Sequence, residues 1–222
     1  MFALSRPDPA KDRLANAVAE QLALDFEMSA DENRSQALQS AAPDRARQEA
    51  SAAAYHQGRV LLLIDAMAGK NGMLDGLTKL AKLDFLLRYP VFLKQLAESG
   101  RVRGLVLDSD TAPTQDEERA VESRMIRYKY GPWDDRYYSI IGALIGRGLV
   151  EYVPGRGRVA LRPTQGGHAI ATVLASDPAW TRTATRCALL RRAFGRMSGN
   201  ALKDLIYQEL PDVVDRPHRM EI

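Results

Sequence analysis

Three histidines, His56, His168 and His218, are the residues of this chain best suited to moving protons or holding metal near neutral pH, and they stand far apart. None belongs to an HxxxH or HxH spacing, and the single cysteine, Cys187, has no second thiol with which to complete a metal site. No Gly-x-Ser-x-Gly elbow is present for acyl transfer. Gly69-Lys70-Asn71-Gly72 lacks the remaining glycine and Ser/Thr spacing of a phosphate loop and reads as a plain turn. His168 follows Gly166-Gly167 at a predicted helix start, so capping or packing is its expected role. The acid pairs Asp134-Asp135 and Glu117-Glu118 fit a helix start and a solvated loop. These patterns predict no catalytic centre, no metal site and no cofactor.

What remains is recognition, and residues 122–168 carry it. Ile126, Tyr128 and Tyr130 alternate with Met125, Arg127 and Lys129, a period of two that predicts a short strand ended by Gly131-Pro132. Asp134 or Asp135 is then placed to cap a helix. In that helix Tyr138, Ile141, Leu144, Ile145 and Leu149 follow the spacing of a buried stripe, and Gly148 suits a left-handed terminator. Leu149–Val153 and Arg158–Arg162 flank Pro154-Gly155-Arg156-Gly157 as a hairpin. Thr164 caps a further helix through about Ala175. Strand, helix, hairpin and helix in this order are the second half of a winged helix, a module that reads DNA or binds protein.

The surface of the middle helix separates these uses. A DNA-reading helix offers Arg, Lys, Asn or Gln to base edges. Opposite the apolar stripe this one offers Arg136 and Ser139, then Gly142, Ala143 and Gly146. Small residues permit close approach of another helix but cannot read a base. Left facing water, each glycine costs about 1 kcal/mol relative to Ala. Arg124, Arg127, Lys129, Arg156 and Arg158 are candidates for a basic, DNA-facing surface. Tyr130, Trp133, Tyr137 and Tyr138 are aromatic candidates for a partner interface, with core the expected place for Tyr138.

Charge supports both readings. Residues 1–55 hold six basic and nine acidic side chains, residues 120–168 eight and four, and residues 176–199 five and one. The cationic half could rest on phosphates or meet an acidic protein surface. A net charge of +3, a hydrophobic share of 45% and a charged share of 27% match an ordinary globular chain, not a nucleic-acid coat. One cysteine fits a reducing compartment, and neither a membrane span nor a secretory signal is visible. A cytoplasmic location is expected.

Elsewhere, Lys11–Met28 predicts an amphipathic helix with Leu14, Val18, Leu22, Leu24 and Phe26 apolar. A second helix from near Pro43-Asp44 becomes core only after Tyr55. Leu77, Leu80 and Leu83 share a face, Asp84 offers a break and cap, and Pro90 interrupts the following helix. Residues 99–121 are an insertion, expected to be mobile or ordered by a partner. Ser176-Asp177-Pro178 starts an arginine-rich helix, and Ala201–Leu210 forms the last. The expected fold is mainly α with a small β-hairpin: a helical arm over 1–54, a winged-helix core over 55–175, and a helical extension over 176–222.

Three phrases carry a family resemblance: LTKLAKLDFLLRYPVFL, ESRMIRYKYGPWDDRYYSIIGALIGRGLV and GNALKDLIYQELPDVV. Over about residues 55–222 the chain resembles the middle component of the ABC-three-component antiphage systems, with the small C subunit of Lamassu the best-known case. The resemblance implies a non-catalytic subunit of bacterial phage or plasmid defence. Its implied partners are an SMC-like ATPase and an effector, commonly a nuclease. The alternative is a dimeric winged-helix transcriptional regulator, with Arg136 and Ser139 in the major groove and Arg156 and Arg158 as wing contacts.

Overall fold

The computed structural model describes residues 41–68, 72–119, 125–128, 131–155 and 158–214. Arg124, Lys129, Tyr130, Arg156, His218 and the helix expected over 11–28 lie outside them. The chain is mainly helical with a small antiparallel sheet. A long helix α1 (Ala41–Ala68) enters the core through its second half, where Val60–Ile64 and Met67 are buried. A short strand β1 (Leu74–Asp75) follows, then α2 (Leu77–Arg88) and α3 (Pro90–Glu98). The break between those two helices falls at Tyr89, and Pro90 stands in the first turn of α3, where its missing N–H costs nothing.

After the insertion and its one-turn helix α4 (Gln115–Arg119), a hairpin of β2 (Ile126–Tyr128) and β3 (Gly131–Trp133) leads into α5 (Tyr137–Gly146). Gly131 and Pro132 therefore form the returning strand instead of merely ending the first. Gly131 makes that reversal at φ 88°, a region glycine enters without penalty. Next come β4 (Val150–Gly155) and β5 (Arg158–Pro163), whose pairing runs from Val150↔Pro163 to Gly155↔Arg158 and leaves only residues 156 and 157 at the tip. The three-stranded order is β1-β5-β4, with Leu74 opposite Leu161. Gly148, at φ 68°, ends α5 as its position predicted.

Four helices complete the chain: α6 (Gln165–Ser176), α7 (Thr181–Phe194), α8 (Gly199–Glu209) and α9 (Pro211–Val214). Thr164 caps α6 by accepting from the Gly167 N–H. Ser198, expected to break a helix, caps α8 by accepting from the Ala201 N–H, so that helix starts two residues early. One core joins all of these elements, with Phe85, Leu86, Ile141, Leu144, Leu161, Ile170, Leu190, Phe194 and Ile206 buried together.

The insertion is not a free loop. Leu105 and Thr111 are buried, and Arg186, itself buried, grips the segment from α7. Its guanidinium donates to the Thr111 and Ala112 carbonyls and to both Glu117 carboxylate oxygens. Arg182 adds a bond to the Ala112 carbonyl. Two of the five arginines in the basic stretch 176–199 are thereby engaged within the chain rather than presented to phosphate. Burial would raise the Glu117 carboxyl, but hydrogen bonds from Arg186 and from Thr114 hold it down at about 2.

Candidate interaction surface

The expected cap at Asp134 is something larger. Four elements meet behind the N-terminus of α5, and each contributes a charged or polar side chain that apolar neighbours enclose. Asp84, in the middle of α2 and fully buried, neither breaks nor caps that helix. It accepts from Arg59 of α1 through both carboxylate oxygens, at 2.8 and 3.2 Å, and from the Tyr137 hydroxyl at 2.8 Å. Arg88, one turn on from Asp84, donates to Asp134 at 2.8 Å. Asp134 also accepts from the Arg136 backbone N–H and from two nitrogens of its guanidinium, at 2.9 and 2.7 Å. Burial alone would raise both carboxyls. The charge and hydrogen bonds of Arg59, with Arg88 and Tyr137, hold Asp84 below the usual range, and those of Arg136, with Arg88, do the same for Asp134.

His56 closes this network from α1. Its Nδ1 lies 2.7 Å from Arg59 Nη1 and its Nε2 lies 2.9 Å from Arg136 Nη1. A guanidinium only donates, and a neutral imidazole has one accepting nitrogen, so only one of these contacts is a hydrogen bond in a given tautomer. Burial, then the charges of Arg59, Arg136 and Arg88, pushes His56 down to about 4. The unfolded chain therefore takes up a proton between about pH 6.5 and 4 that the folded chain refuses. That linkage removes up to about 3 kcal/mol of stability over this window. Urea titrations at pH 7 and pH 4.5 check it: the loss is expected in the wild-type chain and should shrink in His56→Gln.

These bonds fix which face α5 buries. Tyr137 is only 1% exposed, with its hydroxyl on Asp84, whereas Tyr138 is 65% exposed. The two expectations are reversed: Tyr137 is core and not an interface residue, and Tyr138 stands on the open face. The period-3.6 pattern fits either register at its first turn, and the Asp84 carboxylate decides it. Ile140, Ile141 and Leu144 complete the buried side. Tyr138, Ser139, Gly142 and Gly146 are exposed, with Ala143 and Ile145 half-buried. Beyond the helix's own turns, nothing lies within 4 Å of where a Cβ would stand at Gly142 or Gly146. Half-buried Trp133 closes one end, with its ring 5.3 Å from that of Tyr137 and 6.0 Å from that of Tyr138.

The two side chains that a base-reading α5 would use are held inside the chain. Arg136 is divided between Asp134 and His56, and the Ser139 hydroxyl donates to the Arg136 carbonyl at 2.9 Å. No known protein family, curated protein or solved structure matches this chain. Of the proposed basic face, Arg127 lies in β2 and Arg158 in β5, on different sheets. The exposed side of the wing shows Tyr152, Pro154 and Val159.

His168 neither caps nor packs. It is 70% exposed, and its Nδ1 meets Asp65 of α1 at 2.8 Å. The pair borders an open cleft of about 490 Å³ with Arg162, Thr164 and Gln165. The nearby Thr164 hydroxyl donates to the Gly148 carbonyl and accepts from the Gly167 N–H, so it is committed to the helix cap. Among the described residues no His, Cys, Asp and Glu side chains group to hold a metal, and no helix is long and apolar enough to cross a membrane. Cys187 is buried, and burial pushes its thiol up.

The sequence signal for the buried network was available and unused. Asp84 and Arg88 interrupt an otherwise apolar run at a spacing of four, and His56 and Arg59 do so at three. Charged residues inside a core pattern must find one another.

Proposed function

We propose that this chain is a non-catalytic accessory subunit of a bacterial anti-phage or anti-plasmid complex. In this reading it bridges an SMC-like ATPase and an effector, commonly a nuclease, through a winged-helix module. Support for the module comes from the element order, with α1, β1, α2, α5 and the β4–β5 hairpin in sequence and β5 central in the sheet. The partner classes rest on the family resemblance. The observation that carries the mode of action is the α5 face: a wide aromatic edge beside two glycines with open space above them. Such a face admits another backbone closely, and Tyr and Trp concentrate binding energy at the contact.

The regulator reading loses its base contacts, because Arg136 and Ser139 are bonded within the chain. DNA contact, where it occurs, belongs to cations of the wing and is indifferent to sequence. Titration of the purified chain with several duplexes tests this. Affinities should agree among sequences, and Arg156→Glu with Arg158→Glu should flatten the salt dependence by up to about 2 units. Nanomolar binding to one duplex by a dimer, against micromolar binding to the rest, contradicts the proposal.

A further inference from the structure

The open face of α5 lies close to where a long acidic stretch joins the fold. Helix α1 passes the N-terminus of α5 at His56, 2.9 Å from Arg136. From there to Ala41 the helix rises about 22 Å. Residues 29–40 reach up to about 40 Å when extended, enough to bring the preceding segment back along α1 to α5. That segment, Lys11–Met28, places Leu14, Val18 and Leu22 four apart, the same interval that separates Tyr138, Gly142 and Gly146. Its charge is also suited. Residues 1–40 hold seven acidic and four basic side chains, whereas residues 120–168 hold four and eight. Arg147 is exposed just beyond the end of α5, placed for Asp25 or Glu27.

We propose that residues 11–28 form a helix that covers the Tyr138–Gly142–Gly146 face in cis, an internal stand-in that a partner helix must displace. The inference rests on the reading of α5 as a protein-docking helix. Its apolar stripe supplies the knobs and the two glycines supply the floor, while the acidic side chains face the cationic half of the fold. The effect is to keep an aromatic surface out of water until the partner arrives, which suits a subunit made in excess of its complex.

Cysteine accessibility in the full chain tests it. The native Cys187 is buried and silent to a maleimide on the time scale of surface labelling. Gly142→Cys adds a thiol on the covered face, and Val173→Cys adds one on α6, where the native side chain is 48% exposed. Gly142→Cys should label about tenfold more slowly than Val173→Cys, the rate ratio for a face covered about 90% of the time. Adding Leu14→Glu and Leu22→Glu should bring the two rates together. Equal rates in the native background overturn the proposal. So does slow labelling that persists with both glutamates, or that eases on dilution, since then something other than this segment lies on the face. A freely reactive Gly142→Cys chain that still binds its partner overturns the cis cover alone and leaves the partner reading standing.

Discussion

Asp84→Asn should destabilise the chain by about 3–5 kcal/mol, the range for removing one member of a buried ion pair. Asp84 has no solvent exposure, and neither does the guanidinium it binds have more than a trace. The substitution leaves Arg59 buried without its bidentate partner and leaves the Tyr137 hydroxyl without its acceptor. For a chain of this length the melting temperature should fall by roughly 10 °C or more. Tyr137→Phe separates the two contributions. It removes one hydrogen bond and no charge, so about 1–2 kcal/mol is expected. Thermal melts of the three chains at pH 7 check both values. Equal losses for the two variants contradict the assignment of Asp84 as the centre of the network.

Two glycine substitutions should move stability in opposite directions. A Cβ on Gly167 would stand 1.9 Å from the Leu149 carbonyl oxygen and 2.9 Å from its carbon. That carbonyl also accepts from the Thr164 N–H, so the end of α5, the start of β4 and the cap of α6 share one crowded point. Gly167→Ala forces backbone apart on both sides and should cost about 3 kcal/mol or more. Gly142→Ala meets nothing and should stabilise by up to about 1 kcal/mol through helix propensity alone. Denaturant midpoints of both variants against the native chain give the comparison. A neutral Gly167→Ala contradicts the packing described at this junction.

The contrast between these glycines bears on what could be read before the fold was known. Apolar periodicity, the Pro90 break, the Gly148 terminator and the Thr164 cap are local effects, and each lies where its residues placed it. The face of α5 was not local. Tyr137 and Tyr138 are adjacent, and only the buried Asp84, fifty-three positions earlier than Tyr137, selects which of them turns inward. The same distance problem hid the fate of the arginine-rich stretch. Arg182 and Arg186 read as part of a free basic face until the insertion, about seventy residues earlier, is laid against them. Composition located the cations but not their partners. Gly142 and Gly146 were legible as a small-residue face because their neighbours at three and four positions were unambiguous.

The central claim is that α5 docks a protein partner and does not read DNA. Tagged full-length chain, expressed from its native operon with all neighbouring genes intact, tests it by co-purification beside Gly142→Leu. The leucine variant should fold at least as stably as the native chain, since the added side chain points into open space. The native chain is predicted to bring down an SMC-like ATPase and an effector, and Gly142→Leu is predicted to lose most of that material, about tenfold or more for an obstruction worth 1.4 kcal/mol. Recovery of the native chain as a lone dimer that shifts its own promoter DNA, or equal recovery of partners by both chains, would contradict the account.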